Sequence, residues 1–452
     1  MDENLPVIRI SVRNLVEFIL REGDIDNRTG GGQDPETMQM GSRIHRKIQR
    51  QMGSDYQAEV PLKTEIVCDG FTLKIEGRAD GLIHTKEQVM VDEIKGVLRE
   101  LDRVQEPAGI HLAQAKCYAS MVAEQEGVDE IGVQMTYCQM ETEEVKRFQY
   151  SYQSNELKFW FDEVIRQYEK WAKFQIEWRK ARNASIKGIE FPFPYRKGQR
   201  DLAVSVYRTI LRKKKLFIQA PTGVGKTIST VFPAVKAVGE ELGEKIFYLT
   251  AKTITRTVAE QAFETLREQN LKFKVITLTA KEKICFCEET SCNPDDCPYA
   301  KGHFDRVNDA VYELLMQEDV MSREVLEAQA RKHKVCPFEM ALDVSTWVDG
   351  VICDYNYVFD PDARLRRFFT EGGAGGYLFL IDEAHNLVER GRQMYSAELC
   401  KEDFLAVKKL VKGEAPRFAK RLEACNKILL AMKKECENYK VLDNISHFGI
   451  QL

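Results

Sequence analysis

The chain has 452 residues, enough for two to four domains with sizeable cores, and its formal net charge is -4 at neutral pH. A charge this close to balance excludes a globally basic protein that coats nucleic acid, so any DNA contact must come from a local groove. The first residues lack a basic segment followed by an apolar core, and no apolar run reaches the length of a membrane span. These absences predict a cytoplasmic protein with no membrane partner.

A candidate metal site lies in the first third of the chain. Residues 78–83 and 89–95 read as two strands joined by a polar turn, which predicts a hairpin. Glu93 and Lys95 are two residues apart and share one face, and Asp80 near the end of the first strand would complete a pocket with Glu93. Two carboxylates can hold a divalent ion that activates water, and a lysine beside them stabilises charge on phosphate. The same pattern is also typical of solvated charges on a hairpin.

Two helical stretches extend this pattern. An early helix carries His45, and the stretch HLAQAKCYA places Gln114 and Tyr118 four residues apart on one helix face. In order along the chain, these residues, the split acidic pair and the lysine resemble the RecB-type PD-(D/E)xK nucleases. The resemblance implies that His45, Asp80 and Glu93 gather around Mg²⁺ or Mn²⁺. Gln114 and Tyr118 would then support the site or the DNA.

A long charged helix is predicted over residues 155–182. Its three tryptophans are expected to anchor the helix against neighbouring domains; they are Trp160, Trp171 and Trp178. Residues 183–194 contain FPFP and are predicted to be a short linker, because closely spaced prolines disfavour both helix and central strand. Residues 1–182 are therefore predicted to form an α/β nuclease-like domain.

The stretch APTGVGKT at residues 220–227 has the sequence of a phosphate-binding loop. The apolar run at 216–219 and the helix-compatible run at 228–238 predict a strand–loop–helix unit around it. Glycines in the loop let the backbone curl so that its N–H groups face phosphate oxygens. Residues expected to contact nucleotide here are Ala220, Pro221, Thr222, Gly223, Val224, Gly225, Lys226 and Thr227.

Individual roles follow from this loop and from the stretch IDEAH farther along the chain. Lys226 reaches the β- and γ-phosphates, and the Thr227 hydroxyl can ligate Mg²⁺. Residues 377–381 read as a buried strand that delivers Asp382 to the metal and Glu383 to the attacking water. The chain is therefore predicted to bind ATP with Mg²⁺.

Five of the 12 cysteines fall in residues 285–336, between the two nucleotide motifs. Without a secretory signal they are expected to be thiols or metal ligands rather than disulfides. Four thiolates are the usual complement of an iron–sulfur cluster or a structural zinc, and the spacing alone does not choose the metal. The segment between the last two, residues 304–334, reads as helical. The five are Cys285, Cys287, Cys292, Cys297 and Cys336.

From about residue 195 to 386 the chain resembles the XPD/DinG-type superfamily 2 DNA helicases. The matching features are RKGQ at 196–199, APTGVGKT, YLTAKT at 248–253, the cysteines, VICDYNYVFDP at 351–361 and IDEAH. The resemblance implies a 4Fe–4S cluster in an insertion at about 281–344. It points to four ligands, Cys285, Cys292, Cys297 and Cys336, with Cys287 as an extra thiol that could displace Cys285.

The same resemblance implies further roles. Gln199 would contact the adenine, and Thr250 and Lys252 would lie near a bound single strand. The expected function is an ATP-dependent DNA helicase, moving 5′ to 3′ on single-stranded or forked DNA in repair or replication, with a fused nuclease. The alternative is a non-catalytic nucleotide- and DNA-binding module with a vestigial nuclease.

The expected architecture is α/β. The nuclease-like domain and linker are followed by a RecA-like domain at 195–386, which carries the insertion. Residues 387–452 are expected to be helical, as the beginning of an arch-like domain. Roughly seventy residues after IDEAH are too few for a second motor domain, which predicts a fragment of a longer protein.

Overall fold

The computed structural model describes residues 5–28, 35–221, 223–251, 253–369, 375–445 and 448, without the side chains of 35–39, 253 and 254. Two compact units are present: residues 1–354 with 372–383, and residues 355–371 with 384–452. The first unit contains both sheets. In the described residues, no helix combines the length and apolar character that a bilayer crossing requires.

The first part of the large unit is built on a six-stranded mixed sheet. Its strands are β1 (Val7–Ser11), β2 (Tyr56–Cys68), β3 (Phe71–His84), β4 (Val89–Val97), β5 (Glu130–Gln139) and β6 (Val145–Gln153). The order is β1-β3-β4-β5-β6, and β2 pairs with β3 from Tyr56 to Cys68 except at Glu59. Strand β5 is buried at nearly every position, whereas β6 alternates between exposed and half-buried, as expected for an edge strand with one solvated face.

Four helices accompany this sheet: α1 (Val12–Ile19), α2 (Pro35–Gln51), α3 (Gly109–Glu126) and α4 (Ser154–Gly188). A short 3-10 helix lies at Leu101–Arg103. The Ser11 hydroxyl caps α1 by accepting the N–H of Asn14 at 3.1 Å. Helix α3 ends at Gly127, whose φ of 66° is the left-handed conformation that glycine tolerates best. The predicted hairpin of β3 and β4 is present.

A five-stranded parallel sheet forms the second part of the large unit. Its strands are β7 (Lys245–Thr250), β8 (Val275–Thr277), β9 (Val320–Met321), β10 (Gly350–Asp354) and β11 (Tyr377–Ile381), in the order β11-β7-β10-β8-β9. Its helices are α5 (Gln199–Leu211), α6 (Lys226–Gly239), α7 (Thr253–Arg267), α8 (Lys281–Ile284), α9 (His303–Gln317), α10 (Arg323–His333) and α11 (Pro337–Trp347). The α/β class is as expected, with one mixed and one parallel sheet.

The structure differs from the sequence prediction just before the phosphate-binding loop. Residues 216–219 form no strand, and the Phe217 side chain is 89% exposed. A short apolar run becomes a strand only by pairing with another strand, and here it does not reach the open edge of β11. Strand β11 itself is only half-buried rather than buried, as expected for a strand at the end of the sheet.

Helix α4 extends past its predicted end. It continues to Gly188, through half of the stretch predicted to be a linker. Ile186 and Ile189 are buried in the core that the parallel sheet shares with α6 and α7. Packing of these two side chains therefore keeps the chain helical where its sequence alone suggested a break. The predicted helical stretch at 304–334 is likewise divided, by β9.

A buried ion pair joins α4 to the parallel sheet. Arg182 Nη1 lies 2.8 Å from Asp349 Oδ1, with the two side chains only 9% and 4% exposed. Trp178 Nε1 donates to Asp349 Oδ2 at 2.9 Å, and the backbone N–H of Lys274 donates to the same oxygen at 2.8 Å. Because Asp349 immediately precedes β10, the long helix is fixed to the centre of the sheet. The tryptophans Trp171 and Trp178 are packing residues, as expected.

The smaller unit is helical. It contains α12 (Asn356–Phe359), α13 (Arg366–Phe369), α14 (Leu387–Met394), α15 (Lys401–Val411) and α16 (Pro416–Lys434), with a 3-10 helix at Ala384–Asn386. Its core includes Phe404, Cys425 and Phe448. Helices α14 to α16 show the helical character predicted from residue 387 onward, whereas the described residues 435–445 form no helix.

Candidate functional site

The predicted nuclease residues converge on one face of the mixed sheet. Helix α2 brings His45 Nδ1 to 3.3 Å from Asp80 Oδ1 on β3. On β4, Lys95 Nζ lies 2.7 Å from Glu93 Oε1 and 3.3 Å from Gln114 Oε1 on α3. Four elements thus place one histidine, two carboxylates, an ammonium and an amide in two bonded groups, which the charge interactions of Glu93 with Asp80 and His45 connect. We call these five side chains the carboxylate cluster.

Tyr118 closes the side of the carboxylate cluster next to α3. Its side chain is 3% exposed, and a Cβ at Gly77 would lie 2.7 Å from the tyrosine hydroxyl, so glycine is needed for this approach. Burial raises the pKa of Tyr118 to about 12, with a further contribution from the charge of Glu93. The phenol therefore stays protonated and available as a hydrogen-bond donor.

Burial sets the electrostatics of the cluster. It raises the pKa of Glu93 to about 7, although the Lys95 ammonium acts in the opposite direction. Burial is the largest influence on the pKa of His45 and lowers it, but the hydrogen bond to Asp80 and the Asp80 charge together outweigh burial, so the net shift is upward. Glu93 Oε2 is buried without a hydrogen-bond partner among the described residues. Such an oxygen is a ready ligand for a cation.

The donor set fits a divalent ion. Carboxylate oxygens are the ligands that Mg²⁺ and Mn²⁺ prefer, and His45 adds an imidazole at the edge of the cluster. Across the described residues, however, no three His, Cys, Asp or Glu side chains lie close enough together to form a metal group by themselves. The fit therefore rests on the chemistry of Asp80 and Glu93 and on the unpartnered Glu93 oxygen.

The nucleotide motifs meet at the edge of the parallel sheet. Gly223 and Gly225 have φ of 79° and 73°, which lets the loop curl before α6 begins at Lys226. Lys226 Nζ lies 3.8 Å from a Glu383 carboxylate oxygen and donates to the carbonyl of Ala220 at 3.2 Å. Lys226 and Glu383 thus lie side by side, although they are more than 150 positions apart in the sequence.

Gln199 lies against the phosphate-binding loop. It is 5% exposed, and a Cβ at Gly225 would be 2.6 Å from its Nε2. Its Oε1 accepts the N–H of Arg196 at 3.0 Å, and the Arg196 guanidinium donates to the carbonyl of Gly223. The φ of 73° at Gly225, together with the closeness of Gln199, favours glycine at this position.

Asp382 follows β11 directly. Its N–H donates to the Leu249 carbonyl at 3.0 Å, which extends the ladder with β7 by one residue. Burial and the neighbouring Glu383 charge raise the pKa of Asp382. Glu383 has a φ of 48°, a backbone conformation that non-glycine residues adopt rarely and mostly at functional turns.

Four other predicted residues belong to the loop or to the stretch YLTAKT. Thr250, at the end of β7, is 2% exposed, and its hydroxyl bonds the Thr255 hydroxyl. Thr222 and Lys252 lie outside the described residues, so the predictions made for them stay predictions. Thr227 lies in the first turn of α6.

The cysteine-rich insertion brings its thiols together in part. Cys287 Sγ and Cys297 Sγ are 3.7 Å apart, so the extra cysteine contacts one of the predicted ligands directly. The Cys287 thiol also interacts with that of Cys285. The N–H of Cys336 donates to Nδ1 of the fully buried His303 at 3.1 Å. The donor chemistry suits a thiolate-bound cluster, but the described thiols do not form one group of four.

The N-terminal segment 18–28 lies across this insertion. The N–H of Ile25 donates to the Ala300 carbonyl at 3.0 Å, and that of Asn27 to the Cys292 carbonyl at 2.9 Å. These bonds join two stretches that are more than 260 positions apart. The segment that leads into α2 therefore also holds the cysteine loop.

Sequence reasoning missed several side chains that support these sites. They are Gln49, Tyr56 and Asp92 around the carboxylate cluster and His303 beside Cys336. Only Gln49 could have been predicted from the sequence, because it follows His45 by four residues and so shares its helix face. The others depend on contacts between distant strands and helices.

The central part of the chain is similar to helicases. The profile described as DEAD/DEAH box helicase matches residues 201–286, and the DEAD_2 profile matches residues 250–404. The matched residues include the phosphate-binding loop, the cysteine-rich insertion and the IDEAH stretch.

Individual relatives agree with these profiles. Human regulator of telomere elongation helicase 1 is 21% identical over 267 residues, which is 48% of this chain and 21% of that protein. The homolog from Caenorhabditis elegans is 23% identical over 253 residues, 47% of this chain and 25% of that protein. The XPD helicase subunit of general transcription and DNA repair factor IIH from Dictyostelium discoideum is 20% identical over 226 residues, 44% of this chain and 29% of that protein.

The matches cover only part of each relative. The chain spans between 21% and 29% of the length of these three proteins. Among solved structures, one titled XPD_Helicase is 19% identical, with a TM-score of 0.35 over 51% of this chain and 40% of that one.

Proposed function

We propose, from the relationship of residues 201–404 to XPD-type DEAD/DEAH-box helicases, that this protein is an ATP-dependent DNA helicase with a fused metal-dependent nuclease. Its substrate would be single-stranded or forked DNA in repair or replication, with 5′ to 3′ movement inferred from the family resemblance. The observation that carries the motor assignment is the 3.8 Å approach of Lys226 to Glu383 beside the curled glycine loop.

In the motor, the loop amides and Lys226 would bind the triphosphate. Thr227 and Asp382 would hold Mg²⁺, and Glu383 would orient water. The Lys226 ammonium, which now bonds its own loop carbonyl, would exchange that bond for a phosphate oxygen. Substituting Lys226→Ala should remove binding of a fluorescent ATP analogue, and retained affinity in that variant would contradict the assignment.

In the nuclease, Asp80, Glu93 and His45 would hold Mg²⁺ or Mn²⁺. When bound, the ion supplies an activated water and neutralises phosphate charge. Lys95, held between Glu93 and Gln114, would stabilise charge that develops on the scissile phosphate. Burial of Glu93 excludes bulk water from the same point.

The nuclease proposal is tested with Glu93→Gln and end-labelled single-stranded DNA. The wild-type chain should cleave it with Mn²⁺ or Mg²⁺, and the variant should not. Cleavage that survives the substitution would not belong to this site. No cleavage by the wild-type chain under any of these conditions would favour the non-catalytic alternative.

The cysteine-rich insertion is proposed to hold a 4Fe–4S cluster through Cys285 or Cys287 together with Cys292, Cys297 and Cys336. Support comes from five thiols within one insertion and from the contact between Cys287 and Cys297. Protein purified without oxygen should absorb broadly near the blue-violet edge of the spectrum. A colourless protein containing zinc would contradict the cluster assignment.

A further inference from the structure

The strand ladder is interrupted on both sides of Asp80. Between β2 and β3 the register pairs Ala58 with Gly81 and Val60 with Ala79, which leaves Glu59 and Asp80 unpaired in this fully described stretch. Between β3 and β4 the last pair on this side is Gly81 with Asp92. The main chain of Asp80 therefore departs from both neighbours at the position where its carboxylate enters the site.

Glu59 causes the first interruption. Its φ is 56°, which turns the backbone of β2 out of the extended conformation opposite Asp80. Non-glycine residues avoid this region, and such strain persists only where the surroundings hold it in place. The surroundings here include the Arg78 guanidinium, whose Nε lies 2.7 Å from Glu59 Oε2.

Two side chains replace the ladder bonds that Asp80 loses. Gln49 Nε2 has two protons, and it donates to the Asp80 carbonyl at 2.9 Å and to Glu59 Oε1 at 2.9 Å. The Tyr56 hydroxyl lies 3.4 Å from the same carbonyl. The Asp80 carboxylate meanwhile accepts the N–H of Ile94 at 2.8 Å, a donor that a ladder carbonyl would otherwise take.

Tyr56 is also held by Asp92, whose side chain lies on the face of the sheet opposite the carboxylate cluster. Its hydroxyl lies 3.2 Å from Asp92 Oδ2, so its one proton can serve Asp92 or Asp80. Asp92 is fully buried and accepts from the Thr136 hydroxyl at 2.6 Å and from Gln134 Nε2 at 3.0 Å. A Cβ at Gly81 would lie 2.0 Å from the Tyr56 ring, so glycine is required there for the ring to reach Asp80.

These contacts have one consequence for the carboxylate cluster. Asp80 and Glu93 would be the next cross-strand pair beyond Gly81 and Asp92, so they point to the same face of the sheet. We propose that Gln49 and Tyr56 are positioning residues, which hold the main chain of Asp80 outside both ladders so that its carboxylate can bind a divalent cation together with Glu93. This inference rests on the proposed nuclease site and adds to it Gln49, on the same helix as His45, and Tyr56, whose hydroxyl also reaches Asp92 on the opposite face of the sheet.

The test measures Mn²⁺ binding to the full chain by calorimetry, without nucleotide, in Gln49→Met and Tyr56→Phe. Each substitution removes the polar contact and keeps the shape of the side chain. Loss of a partner behind a metal ligand typically weakens metal affinity 10–100-fold, so both dissociation constants should rise about tenfold or more. In cleavage assays kcat should fall, KM for DNA should stay unchanged, and added Mn²⁺ should restore part of the rate.

Gln125→Met is the matched control. Gln125 Nε2 also donates from a helix to a β2 carbonyl, that of Lys63, at 3.3 Å and away from the cluster. This variant should bind Mn²⁺ as the wild type does. Thermal melts of all variants separate a folding defect from a metal defect, and if one variant fails to fold, the other still decides the question.

Asp80→Asn distinguishes this inference from the proposed function. If Asp80→Asn abolishes Mn²⁺ binding while Gln49→Met and Tyr56→Phe bind normally, the positioning role is overturned and the nuclease site stands. If Asp80→Asn also binds normally, both are overturned. A lower melting temperature with an unchanged dissociation constant would show that the two residues serve stability alone.

Discussion

The carboxylate cluster and the phosphate-binding loop are both suited to phosphate chemistry, yet the fold supports them differently. In the cluster the Glu93 side chain is 2% exposed, and bonds between elements join His45 to Asp80 and Lys95 to Gln114. At the loop the Lys226 and Glu383 side chains are 32% and 40% exposed, and they approach only to 3.8 Å. One site is organised by burial and the other lies at a sheet edge in contact with solvent.

The difference follows from where each site lies in its sheet. The cluster lies on β3 and β4, between α2 and α3, so helices and neighbouring strands cover it. The loop precedes α6 beside β11, the last strand of its sheet, and the segment before it is exposed. A site inside a covered sheet can fix its charges in advance, because a low local dielectric strengthens each contact.

The largest expected effect comes from breaking the buried ion pair that joins helix α4 to the parallel sheet. Arg182→Met leaves the Asp349 carboxylate buried without its charged partner, which should lower the free energy of unfolding by about 3–5 kcal/mol. Urea denaturation monitored by tryptophan fluorescence measures it.

Arg179→Met on the same helix is the control. The ion pair of Arg179 with Glu241 leaves the two side chains 59% and 57% exposed, so its loss should change the free energy by less than about 1 kcal/mol. Equal effects of the two substitutions would contradict a special role for the buried pair.

The next prediction separates the two sites chemically. Lys95→Met removes the ammonium between Glu93 and Gln114, and it should slow DNA cleavage by about 10²–10³-fold while nucleotide binding stays unchanged. Lys74→Met is the control, since Lys74 bonds Glu65 on the same sheet at 2.7 Å away from the cluster. A parallel loss of nucleotide binding in Lys95→Met would mean that the two sites are not independent.

Burial of Glu93 predicts a pH dependence of stability in the metal-free protein. The pKa of Glu93 rises from 4.5 to about 7, so the folded state holds the proton more tightly than the unfolded state. The resulting stabilisation is present below pH 4.5 and is lost as the pH rises through about 7, in total about 3 kcal/mol.

Glu93→Gln has no proton to lose, so it should flatten this part of the stability profile. Denaturation in a chelator between pH 4.5 and 8 measures the difference from the wild type. A wild-type profile that is already flat across this range would show that Glu93 is solvated in solution.

The smallest expected effect tests the exposed segment before the loop. Phe217→Ser should change the free energy of unfolding by less than about 0.5 kcal/mol, because its side chain is 89% exposed. Phe247→Ala on the buried strand β7 is the contrast and should cost about 3–5 kcal/mol. A large loss of stability in Phe217→Ser would contradict the exposed position of this side chain and would support the strand predicted over residues 216–219.

Local patterns accounted for much of the fold. Two short strand patterns around a polar turn located β4 and the last part of β3, and the glycine-rich loop followed by an apolar helical run located α6. The long helix was found, but its end was misplaced, because Ile186 and Ile189 pack in a core formed by residues far along the chain. The apolar run at 216–219 has strand composition but no partner strand, a property that composition does not report.

Sequence alone determined which side chains could do chemistry, because spacing along a strand or helix fixes which residues share a face. Glu93 with Lys95, and Gln114 with Tyr118, are of this kind. Only the tertiary structure decided how deeply these groups are buried, where the ladder around Asp80 breaks and which side chains replace its bonds. Those features arise from contacts between distant segments, and the free energy of such contacts depends on packing that no local pattern encodes.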